Sequence, residues 1–455
     1  MSAPMRFGVA TAAFQIEGGI NGPREPSNNW ARWEHDGRVE PSGIALDFWN
    51  RYEEALDRVA GLGCTTFRLG VEWARCETSE GIYDDEAFAR YESILDACYD
   101  RGLEPLVTLH HFTHPEWLGE RFWTELNSPD RFAEWVGVAV ARLGSRCRHW
   151  VTINEPNVLA LQTWLTGGFP PGRLGDVRSL VRSIDNLLAG HVLAYAKIKE
   201  AQPESIVALN TYAFTTYELD RMLTDALVAP GLGVARDDLA EWMADRRAEQ
   251  SARHPATGRF DAALRRLSAS ALPLDQALPR STTEVYRSIH HRLLDVVQVD
   301  WYDPVLASHV RVPGHRSAGG RNPLPFRELW DDPPDPAGMQ RWLSTVTEPG
   351  LEVWVVENGI CNRVRRGRAH ERSDGWTRER YLEAHVSAVT SARDAGVPVT
   401  RYYHWTLADN YEWGSYEPRF GLFGVDRERG LRWSERDSMG GDAAGTYRRL
   451  VRAAG

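Results

Sequence analysis

The sequence has few of the features that indicate a membrane protein, a nucleic-acid-binding protein or a disulfide-stabilised one. No window reaches the roughly 18 consecutive apolar residues of a membrane-spanning helix. The net charge of −10 argues against a nucleic-acid partner, because phosphate binding favours a basic face. The five cysteines are scattered and form no CxxC pair, which predicts neither a disulfide framework nor a zinc site. Since the N-terminal residues do not resemble a signal peptide, we expect a soluble cytoplasmic protein.

The chain does contain eight short apolar, β-branched runs that alternate with amphipathic helical stretches. Its 455 residues could form one large α/β barrel or two to three ordinary domains. A doubly wound open sheet is the alternative, but no GxGxxG motif follows the first run. The alternation therefore predicts a single (β/α)8 TIM barrel over residues 1–455. We predict its strands near Arg6–Thr11, Thr65–Gly70, Glu104–His110, Trp150–Asn154, Ile206–Asn210, Val296–Asp300, Val353–Glu357 and Val399–His404.

Two longer stretches between the predicted strands could shape a barrel mouth. Residues 217–284 separate the fifth and sixth strands and read as a helical insertion, with a capped helix starting near Asp237–Met243. Residues 313–336 are rich in Gly and Pro and are predicted to form a loop. Loops that follow the strands of such a barrel form its active-site face. Both stretches are therefore expected to influence what enters that face.

Two glutamates stand at the ends of predicted strands. Glu155 closes the run Trp-Val-Thr-Ile-Asn-Glu-Pro, and Glu357 closes the run Val-Trp-Val-Val-Glu-Asn-Gly. The Pro and the Gly break each strand just after its carboxylate. Two such acids are typical of enzymes that cleave a sugar linkage, which need a proton donor and a nucleophile or base. The alternative is that each Glu is an ordinary solvated strand-end residue.

Other hydrogen-bonding side chains accumulate at the same predicted edge. Seven of the eight predicted strands end in, or are followed by, such groups, which makes solvated strand ends a poor explanation. The 18 tryptophans offer flat apolar faces that suit pyranose rings, although most are expected to fill the core. The residues that we expect at this edge are Gln15, Arg68, His110, His111, Asn154, Glu155, Asp300, Tyr302, Glu357, Asn358, His404, Trp405, Glu412 and Trp413.

Three motifs in order make the chain resemble glycoside hydrolase family 1, the retaining β-glucosidases and β-galactosidases. They are Asn-Glu-Pro (154–156), Glu-Asn-Gly (357–359) and Asn-Tyr-Glu-Trp (410–413). The resemblance implies that Glu155 is the general acid/base and Glu357 the nucleophile. It also implies that Arg68 and Tyr302 orient the nucleophile. The retaining mechanism proceeds through a covalent glycosyl-enzyme.

The same resemblance implies a sugar-binding site and no metal or organic cofactor. Ring hydroxyls would be held by Gln15, His111, Asn154, Glu412 and Trp413, with Trp405 as the stacking platform. The cluster His110, His111 and His114 could suggest a metal. We discount this, because His110 and His111 lie on opposite faces of a strand without an acidic or Cys ligand at suitable spacing. The expected partner is a small β-glycoside, and the sequence predicts no oligomeric state.

Details of the motifs narrow the substrate without identifying it. Glu412 would repel a phosphate, so 6-phosphorylated sugars are disfavoured. Phe112 stands where the family usually has Trp, and Asp300 where it usually has Asn. If Asp300 lies close to Glu155, it would raise the pKa of Glu155 or favour a cationic aglycone. The sequence does not decide whether the terminal sugar is glucose, galactose, fucose or xylose. We expect β-glucosidase activity first. A transglycosidase using the same glutamates and a non-catalytic carbohydrate-binding barrel are the alternatives.

Overall fold

The computed structural model describes residues 4–256, 258–271, 278–302, 315–317, 320–322 and 328–454. Eight parallel strands close into a barrel, each beside its neighbours in the chain, with β1 paired to β8. The predicted barrel is therefore confirmed, and every strand bound lies within two residues of its prediction. The strands are β1 (Arg6–Ala10), β2 (Thr66–Gly70), β3 (Glu104–Thr108), β4 (His149–Asn154), β5 (Ile206–Tyr212), β6 (Val296–Trp301), β7 (Glu352–Asn358) and β8 (Val399–Trp405).

Helices surround the barrel and cover the outer face of its strands. Several begin where a side chain accepts the first free backbone N–H groups, as Asp84, Asp176 and Thr377 do. The longer helices outside the insertion are Phe48–Gly61, Asp85–Asp100, Ser128–Leu143, Val177–Ala201, Pro336–Leu343, Arg378–Asp394 and Ala443–Ala454. Shorter α-helices are Ala13–Ile16, Ala31–His35, Trp73–Cys76 and Pro156–Ala160, and Leu161–Leu165 is a π-helix. The 3₁₀ turns are Glu116–Leu118, Phe122–Thr124, Tyr217–Leu219, Ala229–Leu232, Arg236–Asp238 and Leu329–Asp331.

The hydrophobic core lies on both sides of the barrel wall. All residues of β2, β4 and β6 are buried, as expected for parallel strands enclosed by helices on one face and barrel contents on the other. Large indole rings, among them Trp150 and Trp354, are almost completely inaccessible. The apolar runs of the sequence therefore form the wall, and the polar residues that end them are left for the barrel mouth.

The predicted insertion is helical where the structure describes it. Its helices are Arg221–Val228, Leu239–Arg253, Arg259–Ala271 and Pro279–Arg287. Leu239 and Met243 are buried on one face of the second helix, as the spacing predicted. Asp238 precedes that helix but makes no capping hydrogen bond through its side chain, so the predicted cap is wrong in that detail. Asp238 is instead the last residue of a 3₁₀ turn that leads directly into the helix.

A buried ionic cluster attaches this insertion to the barrel. Its members are Arg221, Asp225, Arg246 and Glu348, and Glu348 lies outside the insertion, shortly before β7. Arg221 Nη2 lies 3.2 Å from Glu348 Oε1, and Arg246 Nη2 lies 2.9 Å from Asp225 Oδ1. Arg246 also pairs with Glu348. Detaching the insertion would leave Glu348 buried without its partners, and a buried charge that loses its partner is strongly destabilising. The cluster therefore holds the insertion against the barrel.

Several short strand pairs decorate the loops. The stretch 313–336, predicted to be a loop, lies partly outside the described residues. Its described part contains the antiparallel pair His315–Ser317 and Gly320–Asn322. None of the helices that the structure describes is long and apolar enough to cross a membrane. The remaining short strands are Glu77–Ser79, Ile82–Tyr83, Asn362–Arg365, Arg368–His370, Pro418–Arg419, Gly424–Asp426 and Arg432–Ser434.

Candidate active site

The backbone changes course at both catalytic candidates. Glu155 directly follows β4 in a left-handed conformation, with φ of 38° and ψ of 62°, and Pro156 then begins a short helix. Such a conformation costs about 1–3 kcal/mol for a residue other than Gly, and it clusters at functional sites. The pairing of β6 with β7 shifts register between Val355 and Glu357, and such irregularities redirect side chains near active sites. Both carboxyl groups are therefore directed by local backbone distortions.

A close backbone approach follows Glu357. At Gly359, a Cβ atom would lie 2.2 Å from the carbonyl oxygen of Trp405, which no side chain could tolerate. Glycine is therefore required for the end of β7 to pack against the end of β8. This contact fixes Glu357 relative to Trp405, the predicted stacking platform.

Glu357 is held by one hydrogen bond to each of its oxygens. Arg68 Nη1 donates to Oε1 at 2.6 Å, and the Tyr302 hydroxyl donates to Oε2 at 2.7 Å. Burial raises the pKa of Glu357, while the charge of Arg68 and both hydrogen bonds act in the opposite direction. Since the guanidinium is itself completely buried, the ion pair requires a charged Glu357. The arrangement therefore provides an oriented carboxylate.

Glu155 lies in a different electrostatic environment. Burial raises its pKa well above the ordinary value, and the charges of Asp300 and Glu357 and a hydrogen bond with Asp300 raise it further. The charge of Arg68 lowers the pKa of Glu155 but offsets only part of this rise, because Arg68 is paired with Glu357. The surroundings therefore favour the protonated form of Glu155 and, through Arg68, the charged form of Glu357. One acid and one carboxylate thus occur side by side, which is the division of roles that glycoside cleavage needs.

Arg68 also organises two asparagines around the pair. Its Nη2 donates to Asn154 Oδ1 at 2.6 Å, and Asn210 Nδ2 donates to the same oxygen at 2.8 Å. Asn210 donates to Asp300 as well. These bonds leave Asn154 Nδ2 buried without a partner among the described residues. A donor in that state is suited to a ligand hydroxyl, since buried polar groups are normally satisfied.

Asn210 was not among the predicted site residues. It ends the fifth predicted strand, the one strand for which the sequence analysis assigned no polar group to the active-site edge. Its position was therefore the available signal, because all the strands of a parallel barrel direct their carboxyl ends to the same face. The structure shows that all eight strands contribute to this edge.

Gln15 and Glu412 form a second hydrogen-bonded cluster, beside Glu155 and Glu357. Gln15 Nε2 donates to Glu412 Oε2 at 3.0 Å and to the Tyr411 carbonyl at 2.9 Å. Burial and the charge of Glu357 raise the pKa of Glu412 to about 8, against hydrogen bonds from Gln15 and Trp405. Gln15 Oε1 is buried without a partner among the described residues. Donors and acceptors are thus fixed next to the nucleophile, where a sugar ring would need them.

Aromatic rings form the wall of the site. The imidazole of His111 stacks between Trp405 and Trp413, with ring centroids 5.8 and 5.7 Å away. Burial and the charge of Arg68 hold the pKa of His111 well below its usual range, so the ring is neutral. Phe112 packs on Trp413 at 4.9 Å, and Phe169, which the sequence analysis did not identify, packs on both. Flat apolar faces and one neutral imidazole suit an uncharged sugar.

The structure also bears on the metal alternative. His110 Nε2 accepts a hydrogen bond from Trp123 Nε1 at 3.1 Å. The His110 ring packs on Phe132, away from the rings that His111 contacts. Among the described residues, the acidic and histidine groups close enough to share an ion are Glu155, Asp300 and Glu357. Arg68 and Tyr302 already engage Glu357, so a cation is not needed to balance it.

All ten predicted site residues meet in this region. Arg68 and Tyr302 contact Glu357, Asn154 contacts Arg68, and Gln15 and Trp405 contact Glu412, while His111 joins Trp405 to Trp413. Oxygens of Glu155, Asp300 and Glu357 lie within 4.8 Å of one another. Chemically, the site can protonate one group and attack a neighbouring carbon from the same small volume.

Comparison with known proteins points in the same direction. The family model described as "Glycosyl hydrolase family 1" matches residues 3–440. The chain is 27% identical to "Beta-glucosidase 42" of Arabidopsis thaliana, over 93% of this chain and 89% of that protein. It is 27% identical to "Beta-glucosidase A" of Thermotoga maritima, over 92% of each. The solved "Family 1 b-glucosidase from Thermotoga maritima" superimposes with a TM-score of 0.72 at 25% identity, covering 100% of this chain and 98% of that one.

Proposed function

The chain belongs to glycosyl hydrolase family 1, and from this premise we propose that it is a retaining β-glycosidase acting on a terminal neutral sugar. Glucose is the first candidate for that sugar, because the similar proteins are named as β-glucosidases. The single observation that carries the mechanism is the placement of two buried carboxyl groups in one site, Glu357 paired with Arg68 and Glu155 beside it with a raised pKa.

The reaction then has two steps with unequal roles for the two acids. Glu155 protonates the departing glycosidic oxygen while Glu357 attacks the anomeric carbon and forms a covalent glycosyl-enzyme. Glu155, now ionised, deprotonates the water that releases the sugar. Inverting enzymes separate their carboxyl groups by about 6.5–9.5 Å to admit a water, whereas retaining enzymes hold them about 5–5.5 Å apart. Oxygens of Glu155 and Glu357 within 4.8 Å of each other support retention.

The charge of the site supports a neutral sugar. Arg68 is committed to Glu357 and Asn154, and Glu412 stands beside Gln15, the predicted sugar ligand. An anionic substituent on the ring would therefore find no free cation among the described site residues, and its charge would add to that of Glu357. Asn154 Nδ2 is available for the 2-hydroxyl, a contact that strengthens in the transition state of this reaction.

The test is removal of the nucleophile. Glu357→Ala should abolish turnover of an aryl β-glucoside, and azide should restore it with a glycosyl azide of inverted configuration, because the small anion replaces the carboxylate. Glu352→Ala is the matched control. That residue lies at the exposed start of the same strand, where it accepts from Trp354 and Thr400. Wild-type turnover in Glu357→Ala, or a rescued product of retained configuration, would contradict the proposal.

A further inference from the structure

Asp300 adds a third carboxyl group to the catalytic pair. It is completely buried at the end of β6, two residues before Tyr302. One of its oxygens accepts from Asn210 Nδ2, and the other, Oδ1, accepts from no nitrogen or hydroxyl donor among the described residues. Oxygens of Asp300, Glu155 and Glu357 lie within 4.8 Å of one another. An acid in this place must be either protonated or stabilised as an anion.

Among the described residues, the charged and titratable groups around these acids provide one cation for three carboxyl groups. Arg68 on β2 supplies the positive charge and pairs directly with Glu357. Tyr302 donates to Glu357, and burial keeps the pKa of its hydroxyl well above the usual range, so it stays neutral. His111, whose pKa Arg68 and burial hold well below its usual range, is neutral too. Neither Glu155 nor Asp300 has a counter-ion of its own among the described residues, so both cannot ionise together while Glu357 is charged.

We propose that Asp300 and Glu155 share one proton in a hydrogen bond, and that Asp300 is a positioning residue that keeps this proton on Glu155 until a glycosidic oxygen receives it. The inference rests on the proposed function and concerns the same site. Asn210 decides which acid carries the proton, because it donates to Asp300 and so stabilises the charge there. Glu155 has an unpartnered Oε1 and no comparable donor among the described residues.

The shared proton affects both steps of the reaction. In the first, the proton leaves Glu155 for the glycosidic oxygen as the bond from that oxygen to the anomeric carbon breaks and the bond to Glu357 forms. Glu155 is then an anion facing the anion of Asp300. This repulsion makes Glu155 a stronger base. In the second step it takes a proton from the attacking water as the water oxygen bonds to the anomeric carbon and the bond to Glu357 breaks, and the hydrogen bond between the two acids forms again. Asp300 thus assists the acid first and the base afterwards.

The pKa of Glu155 supports this arrangement. After burial, the charge of Asp300 is its largest cause of elevation, and the hydrogen bond between the two acids raises it further. An asparagine at position 300 would remove that charge and could donate its own N–H to the Glu155 carboxylate. Both changes lower the pKa of Glu155. The basic limb of the pH profile, which reports the loss of the acid, should therefore move to lower pH.

The experiment uses Asp300→Asn and two substrates that differ in their need for the acid. We expect the basic limb of kcat/KM for a phenyl β-glycoside to move down by at least about one pH unit, since removing a neighbouring like charge shifts a pKa by that order. For the 2,4-dinitrophenyl glycoside, whose leaving group departs without protonation, the limb should not move. A purely structural role would affect both substrates alike.

Asp220→Asn is the matched control. Asp220 is likewise completely buried, and burial raises its pKa to about 8, but it accepts from backbone N–H groups of the helical insertion. Its pH profiles should coincide with those of the wild type. An unmoved limb for the phenyl substrate in Asp300→Asn, or equal movement for both substrates, would overturn the inference.

A spectroscopic measurement tests the shared proton directly, without any turnover of substrate. Difference infrared spectra of the wild type against Glu155→Gln follow the carbonyl stretch of one protonated carboxyl group as pH rises. We expect its midpoint well above the ordinary range of a glutamate in the wild type and at least about one unit lower in Asp300→Asn. A wild type whose band titrates in the ordinary range of a glutamate refutes proton sharing. If the band is present but no β-glycoside is cleaved, the proposed function fails instead.

Discussion

Removal of the Tyr302 hydroxyl is the sharpest test of how Glu357 is controlled. Tyr302→Phe deletes the 2.7 Å hydrogen bond to Oε2 and leaves the Arg68 bond to Oε1 intact. A hydrogen bond to a charged group contributes about 1.5–3 kcal/mol. The side chain of Tyr302 is partly exposed, so water can replace part of the lost hydrogen bond. We therefore take the lower end of that range. At 1.36 kcal/mol for each pKa unit, the pKa of Glu357 should rise by about one unit.

The sign of the effect on activity follows from the role of Glu357. The nucleophile must be ionised, and a raised pKa delays ionisation, so the acidic limb of kcat/KM should move up by about one pH unit. On the plateau, loss of orientation should lower kcat/KM by about tenfold, the same 1.4 kcal/mol expressed as a rate. The assay is the initial rate of aryl β-glucoside hydrolysis between pH 4 and 9.

A remote tyrosine provides the control. Tyr195 lies on the outer helix Val177–Ala201, and Tyr195→Phe removes its 3.0 Å hydrogen bond to the carboxylate of Asp295, directly before β6. It should lower thermal stability slightly and leave the pH profile in place. An acidic limb that stays where it is in Tyr302→Phe, with a plateau within twofold of the wild type, would refute the orienting role.

Two further predictions concern residues outside the sequence motifs. Asn210→Ala should lower kcat/KM by about fivefold, since Asn154 loses one of its two anchoring hydrogen bonds, worth about 1 kcal/mol. Kinetics with an aryl β-glucoside would show this, and unchanged kinetics would contradict it. The Asp220 carboxyl has a pKa of about 8 in the folded protein, against an ordinary 3.8. Between these values the folded protein keeps a proton that the unfolded chain releases. The free energy of unfolding should therefore fall as pH rises through this window, by up to about 1.4 kcal/mol per pH unit. Urea unfolding at several pH values should show a shallower fall for Asp220→Asn, and parallel curves for the two proteins would refute the linkage.

Much of the barrel could be predicted because strand and helix periods are local properties. The runs ending in Asn154 and Glu357 are apolar throughout, which identifies enclosed parallel strands without knowledge of their partners. Chain order then fixes strand order in a barrel of this type, so residues from distant motifs could be expected at one edge. The contact between Gln15 and Glu412 spans 397 positions and still follows from that rule.

Other features depend on register and packing, which the sequence does not state. The bond between Asn210 and Asp300 depends on how β5 and β6 align, so Asn210 was missed although it ends a predicted strand. Phe169 enters the site from an irregular segment after a π-helix, where no periodic pattern marks it. The pairing of Arg246 with Glu348 joins an insertion to a loop 102 positions away, and one sequence contains no signal for it.

The ionic cluster beneath the insertion has a consequence for engineering this protein. Exchanging the 217–284 segment for one without Arg221 and Arg246 would leave Glu348 buried, with none of the cations that now compensate it. Uncompensated buried charges cost about 3–5 kcal/mol, a large part of the stability of a typical domain. Such a graft, without a change at Glu348, should therefore lose much of its stability, which would interfere with a measurement of its new selectivity. Substituting Glu348 together with the segment is the change that makes such a graft possible.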